Sequence, residues 1–176
     1  DRVGLQYAKL IGTDFTGASF YYGSLSMADL TDANLTNACL IRTYMHANLT
    51  NTILKNADLR GAVELWNCSG TPIIQNTIWD NGVIRNFSMK SESDSLLIRK
   101  YVPPVEGESL INAKIADDAT ISGGAVLTLE EGAILEIMAG KTLTVADNSE
   151  IIFNVDVASD NTKILLNSGS TIAFGA

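Results

Sequence analysis

The chain holds one histidine, His46, so any Ser-His-Asp relay would have to run through it. The surrounding residues place no nucleophile or carboxylate beside it, and it reads as a solvent-facing side chain. One histidine and two cysteines at unrelated spacing, Cys39 and Cys68, do not make a zinc set. Asp117-Asp118 and Glu130-Glu131 offer the hard oxygens that calcium takes. Adjacent strand residues point to opposite faces, however, and no Asp-x-Asp-x-Asp or glycine-aspartate calcium repeat occurs, so these pairs read as a solvated acidic surface. Asn34-Leu35-Thr36, Asn48-Leu49-Thr50, Asn67-Cys68-Ser69 and Asn86-Phe87-Ser88 fit the N-glycosylation pattern, though in the first two a sequence repeat itself generates the match. The expectation is a protein that is not an enzyme, with no catalytic, cofactor-binding or metal-ligating residues and no cofactor.

Composition narrows the classes further. The chain has 176 residues, is 46% hydrophobic and has mean hydropathy +0.15, enough for a buried core. No apolar run reaches the length of a membrane-spanning helix, so no membrane insertion is expected. The opening at Asp1, without a methionine or an apolar leader, reads as a processed end or a cut from something longer. The net charge of −8 argues against nucleic acid as a partner, because backbone contacts need clustered lysine and arginine. The charge is also uneven: residues 1–89 hold seven acids and six bases, for −1, and residues 90–176 carry the remaining −7.

The elements that would position any site announce themselves by period. Large apolar residues recur every fifth position at Leu5, Leu10, Phe15, Phe20, Leu25, Leu30, Leu35 and Leu40. Two residues before most of them sits a small one: Ala8, Thr13, Ala18, Gly23, Ala28, Ala33 and Ala38. After a four-residue step near Tyr44 the beat resumes with Ala47 before Leu49, Thr52 before Leu54 and Ala57 before Leu59. A helix wants apolar spacings of three and four and an isolated strand wants two, so a strict five fits neither and marks a repeat architecture.

The triplets Ala28-Asp29-Leu30, Ala33-Asn34-Leu35, Ala47-Asn48-Leu49 and Ala57-Asp58-Leu59 resemble the A-(D/N)-L-x-x motif of the pentapeptide-repeat family. The resemblance implies a right-handed quadrilateral β-helix with four pentapeptides to a coil. The central Leu/Phe and the small residue two before it would both point inward. The core repeat positions are then Leu10, Phe15, Phe20, Leu25, Leu30, Leu35, Leu40, Leu49, Leu54 and Leu59. Four steps per coil stack Phe15, Leu35, Leu54 and Ile74 on one face, and Phe20, Leu40, Leu59 and Trp79 on the next. The pattern degrades at Glu64 and Ser69, then revives as Ile74, Trp79, Ile84 and Met89, a final irregular coil. Cys39 and Cys68 each precede an inward position and should face outward. They lie one and a half coils apart, on opposite faces, which excludes a disulfide.

From Glu108 the beat is eight. Turn residues stand at Gly124, Gly132, Gly140 and Asn148, then at Asn161 and Gly169 after an insertion. Apolar pairs follow each: Leu127/Leu129, Leu135/Ile137, Leu143/Val145, Ile151/Phe153, Ile164/Leu166 and Ile172/Phe174. Weaker members at Ile111/Ala113 and Ala119/Ile121 extend the series backward. Such segments read as short strands with one buried face, winding as a triangular β-solenoid in preference to an antiparallel sandwich. Lys90 to Gly107, with Pro103-Pro104, reads as the junction, giving an all-β chain of three parts: 1–89, 90–107 and 108–176.

These features suggest a non-enzymatic structural protein of the extracellular space or cell surface, since an outward face of Thr, Asn and Ser with glycine-rich turns suits that setting. Solenoid ends are open strand edges. No amphipathic capping helix precedes the first repeats, and no polar cap follows Phe174. The expected partner is therefore another copy, stacked end to end into a filament through Leu5, Leu10, Ile164, Leu166, Ile172 and Phe174, or else the flanking domains of a larger surface or adhesin protein. Some pentapeptide-repeat proteins mimic DNA and bind a topoisomerase, but that needs an acidic pentapeptide rod, and here the acidity lies in the other half. Tyr21, Tyr22, Tyr44 and Trp66 are stacking candidates for a carbohydrate surface.

Overall fold

A computed structural model describes residues 2–102, 109–146, 148–154 and 162–174. The chain divides into two compact units, Asp1–Asn86 and Phe87–Ala176.

In the first unit the backbone pairs with itself one coil later. Parallel bridges join Gly4 to Ser24, Lys9 to Asp29, Asp14 to Asn34 and Ser19 to Cys39, twenty residues apart. Within each repeat the chain turns after the central residue. The Ala8 N–H donates to the Leu5 carbonyl, and the third residue of the turn has positive φ, as at Gly12 (65°), Gly17 (71°) and Asn37 (60°), the arrangement of a type II turn. The (D/N) residue makes the bridge, and the central residue beside it points into the coil.

The resulting core runs through Phe20, Leu25, Leu30, Leu35, Leu40, Leu49, Leu54 and Leu59, all buried, with Ala28, Ala33, Ala38, Ala47 and Ala57 in the corners. Leu10 and Phe15, in the outermost coil, are half-buried against the same cluster. Where threonine takes a fully buried corner its hydroxyl needs an acceptor, and it finds one. Thr43, Thr52 and Thr77 donate to the carbonyls of Phe20, Leu30 and Leu54. At the four-residue step Met45 fills the central position and is fully buried, although Leu40 is the last apolar beat before the slip. From there bridges span nineteen residues, as in Asp29 to Asn48 and Asn34 to Ile53.

The last coil of this unit departs from the sequence reading. A 3-10 turn at Leu65–Asn67 adds length, so Ser69, not Cys68, bridges Asn48. Ile74 and Trp79 follow the expected columns and pack on the core. Ile84 does not continue the coil: β1 (Thr77–Ile78) pairs antiparallel with β2 (Ile84–Arg85). The cause is local. Asn81-Gly82 is a hairpin signal, with Gly82 at φ 87° and the Val83 N–H donating to Asn81 Oδ1.

The second unit contains nine strands among the described residues: β3 (Ser95–Ile98), β4 (Ala113–Ile115), β5 (Ala119–Ile121), β6 (Val126–Leu129), β7 (Ile134–Ile137), β8 (Thr142–Val145), β9 (Glu150–Phe153), β10 (Lys163–Leu166) and β11 (Thr171–Phe174). Strands β3 to β8 each pair in parallel with the strand three later, forming sheets β3-β6-β9, β4-β7-β10 and β5-β8-β11. Three strands therefore make a coil, and the octad half winds as a solenoid, not as a sandwich. Leu96, Ile98, Leu127, Leu129, Leu135, Ile137, Leu143 and Val145 form its buried centre.

Three details depart from the periodic reading. β3 lies inside the stretch read as junction, and Met89, read as the end of the pentapeptide part, bridges Ile121 in this unit. No glycine announces β3. Its preceding turn is closed by Asp94 Oδ2, which accepts from the Lys90 N–H and the Ser91 hydroxyl. The inward pair of β4 is Ala113/Ile115 in place of Ile111/Ala113, because the step from Ile115 to Ile121 is six residues. Pro103-Pro104, Glu108 and Asn161 lie outside the described residues.

Candidate functional site: ladders and coil edges

A residue that bridges two coils turns its side chain outward, beside the equivalent residue of the next coil. Asp14 Oδ1 accepts from both the N–H and the hydroxyl of Thr16, and Asp29, Asn34 and Asn48 repeat the motif with Thr31, Thr36 and Thr50. The amide hydrogens of Asn48 then cross to Asp29 Oδ1 and Thr31 Oγ1, and Asn34 reaches Thr16. Donation from Thr16 and Thr31 holds the Asp14 and Asp29 carboxyls below the ordinary carboxylate range. Asn34 and Asn48, two of the sequon asparagines, are thus committed to these ladders.

The single histidine has a neighbour that the repeat alone does not announce. Val63 bridges Tyr44, which brings Glu64 Oε2 within 3.7 Å of His46 Nδ1. This corrects the expectation of no adjacent carboxylate, yet both side chains remain 41% exposed, so His46 does face solvent. Among the described residues neither Cys39 nor Cys68 forms a disulfide. Cys39 stands in the outward slot but is buried. Cys68 corrects the expectation of an outward thiol: the added turn moves it into the small inward corner, where its Sγ accepts from the Ala47 N–H at 3.4 Å. Burial pushes its pKa up, against a smaller opposing pull from Ala47.

The acidic pairs are spread over separate contacts. Asp118 Oδ1 accepts from the Thr142 N–H, Asp117 lies 3.8 Å from Lys141, and Glu130 accepts from the Lys100 N–H. Among the described residues no group of three metal-binding side chains assembles. Among the stacking candidates, Trp66 and Tyr44 are exposed, while Tyr21 and Tyr22 are half-buried.

Sequence reading missed one polar feature altogether. Asp58 and Arg60 are buried, and the guanidinium binds the carboxylate through Nε at 2.9 Å and Nη2 at 2.6 Å. Asp58 fills the ordinary D/N slot of its repeat and Arg60 a slot that accepts almost any residue, so no periodic signal marks the pair.

The outermost coils differ from the inner ones. Phe153, Leu166 and Phe174 pair in register with Leu129, Ile137 and Val145. The three inner residues are 0%, 0% and 6% exposed, whereas the outer three are 42%, 53% and 77% exposed. Ile164 and Ile172 are half-buried beside them, as is Leu5 in the first coil of the other unit.

Stacked coils, an apolar axis and outward polar ladders define a repeat protein of the β-solenoid class. Residues 2–44 and 45–63 match the family model of pentapeptide repeats, with eight copies. That segment is built of pentapeptide repeats. Among solved structures the chain is similar to HetL, a pentapeptide repeat protein involved in heterocyst differentiation regulation from the cyanobacterium Nostoc sp. strain PCC 7120, at 15% identity. That match covers 97% of this chain and 87% of the other at a TM-score of 0.25. No curated protein matches the chain.

Proposed function

We propose that this chain is a non-catalytic structural protein of the cell surface or extracellular space, whose outermost coils stack end to end on those of other copies. The reading rests on the exposure of Phe153, Leu166 and Phe174, whose counterparts one coil inward are buried. Strands β9, β10 and β11 are the outer members of their three sheets. An edge strand beside an exposed apolar face is a template for further pairing. A contact between unlike ends does not close on itself and so propagates. The surface location is supported by composition, namely outward Thr, Asn and Ser with glycine at the turns.

Negative-stain electron microscopy over a concentration series, with light scattering, tests the reading. Uniform fibres one solenoid wide, abolished by Phe174→Asp, are the expected result. A particle that stays monomeric at every concentration would sink it and make the chain a module of a larger surface protein, with further coils covering those residues.

A further inference from the structure

We propose that a cavity of about 410 Å³ on the first unit, lined among the described residues by Arg2, Ser19, Tyr21 and Tyr22, binds a carboxylate-bearing sugar residue. The volume falls in the range of small-molecule sites. Its lining combines one cation, a hydroxyl and two phenols. The Tyr21 and Tyr22 rings meet nearly at right angles, at 84° with centroids 4.6 Å apart, so they form a corner with both an apolar face and phenolic oxygens. The Arg2 guanidinium lies 5.6 Å from the Tyr22 centroid, which holds the cation at the cavity without neutralising it. No carboxylate among the described residues pairs with Arg2, and the Ser19 hydroxyl makes no hydrogen bond within the described part of the chain.

A guanidinium fork matches a planar carboxylate with two parallel hydrogen bonds. A tyrosine face suits the C–H side of a pyranose, and its hydroxyl suits the ring's alcohols. A uronic acid presents all three features in one residue, whereas a neutral hexose lacks the anion and a simple carboxylate lacks the ring. The cavity is open to solvent, so affinity belongs in the millimolar range, about 1 mM.

The probe is sodium glucuronate, titrated into 15N-labelled protein below the concentration of any self-association. Glucose, acetate and inorganic phosphate are titrated in parallel. Saturable shifts confined to residues around Tyr21 and Tyr22 are expected, with glucose and acetate each at least tenfold weaker. Arg2→Gln, an exposed position whose replacement leaves the core untouched, should lower glucuronate to the level of glucose. Tyr22→Leu should weaken both sugars, with circular dichroism confirming the fold. The proposal fails if glucuronate does not saturate, if glucose binds equally well, if Arg2→Gln changes nothing, or if acetate or phosphate matches glucuronate, which would reveal a bare anion site. Fibre formation plays no part in the readout, so this proposal and the assembly reading stand or fall separately.

Discussion

At the scale of single residues, the Asp58–Arg60 pair separates interactions that matter from those that decorate. Lys141 and Asp117 are 3.8 Å apart with the carboxylate almost fully exposed, and such pairs contribute about 0–1 kcal/mol. Asp58 and Arg60 are out of solvent and joined by two short bonds. Asp58→Ala removes the carboxylate facing a buried guanidinium and should cost about 3–5 kcal/mol, read from the urea midpoint. Replacing both with apolar residues of similar volume, Asp58→Leu with Arg60→Met, should cost far less, because no charge is then left in the apolar surroundings. Equal losses in the single and double variants would mean that packing, not charge, dominates there. Nothing in the sequence distinguishes Asp58 from Asp29, which occupies the same slot of its repeat with no such burial. Burial of an outward slot depends on what lies over it, and a repeat pattern carries no such information.

At the scale of elements, legibility followed regularity. The five-residue beat is legible because only a small residue fits the corner and only a large apolar one fills the axis, so each coil repeats the constraint. The octads β6, β7 and β8 were legible for the same reason: glycine supplies the positive φ at Gly124, Gly132 and Gly140, and the inward pairs follow at fixed distance. What escaped was local turn chemistry. The Asp94 side chain closes the turn before β3 in place of a glycine, the Asn81-Gly82 hairpin diverts Ile84, and the Leu65–Asn67 turn moves Cys68 from an outward slot to an inward corner. The ladder geometry carries its own expectation. Amides of β6, β7 and β8, which have a strand on both sides, should exchange with solvent more slowly than those of β9, β10 and β11, which pair on one side. Hydrogen-exchange mass spectrometry reads this directly. Protection of the outer strands that rises with protein concentration would add weight to stacking, and uniform protection in dilute solution would contradict the edge assignment.

At the scale of the whole chain, two compact units carry very different charge, −1 for residues 1–89 and −7 for the rest. Neither resembles a basic surface for nucleic acid, and the acidity lies away from the pentapeptide segment, which weighs against a DNA-like rod. In the first unit each bridge joins a coil only to the one before and the one after, as in Gly4 to Ser24 to Tyr44. A fold bound this way has a mechanical character that a globular core lacks. Under tension its coils can peel away singly, each breaking only its own rungs and paying out about twenty residues, roughly 70 Å of slack. In optical tweezers the pentapeptide half should then lengthen in a staircase of small, repeatable increments instead of one large rupture. The same staircase run in reverse would let the chain rewind, a shock absorber wound from five-residue links.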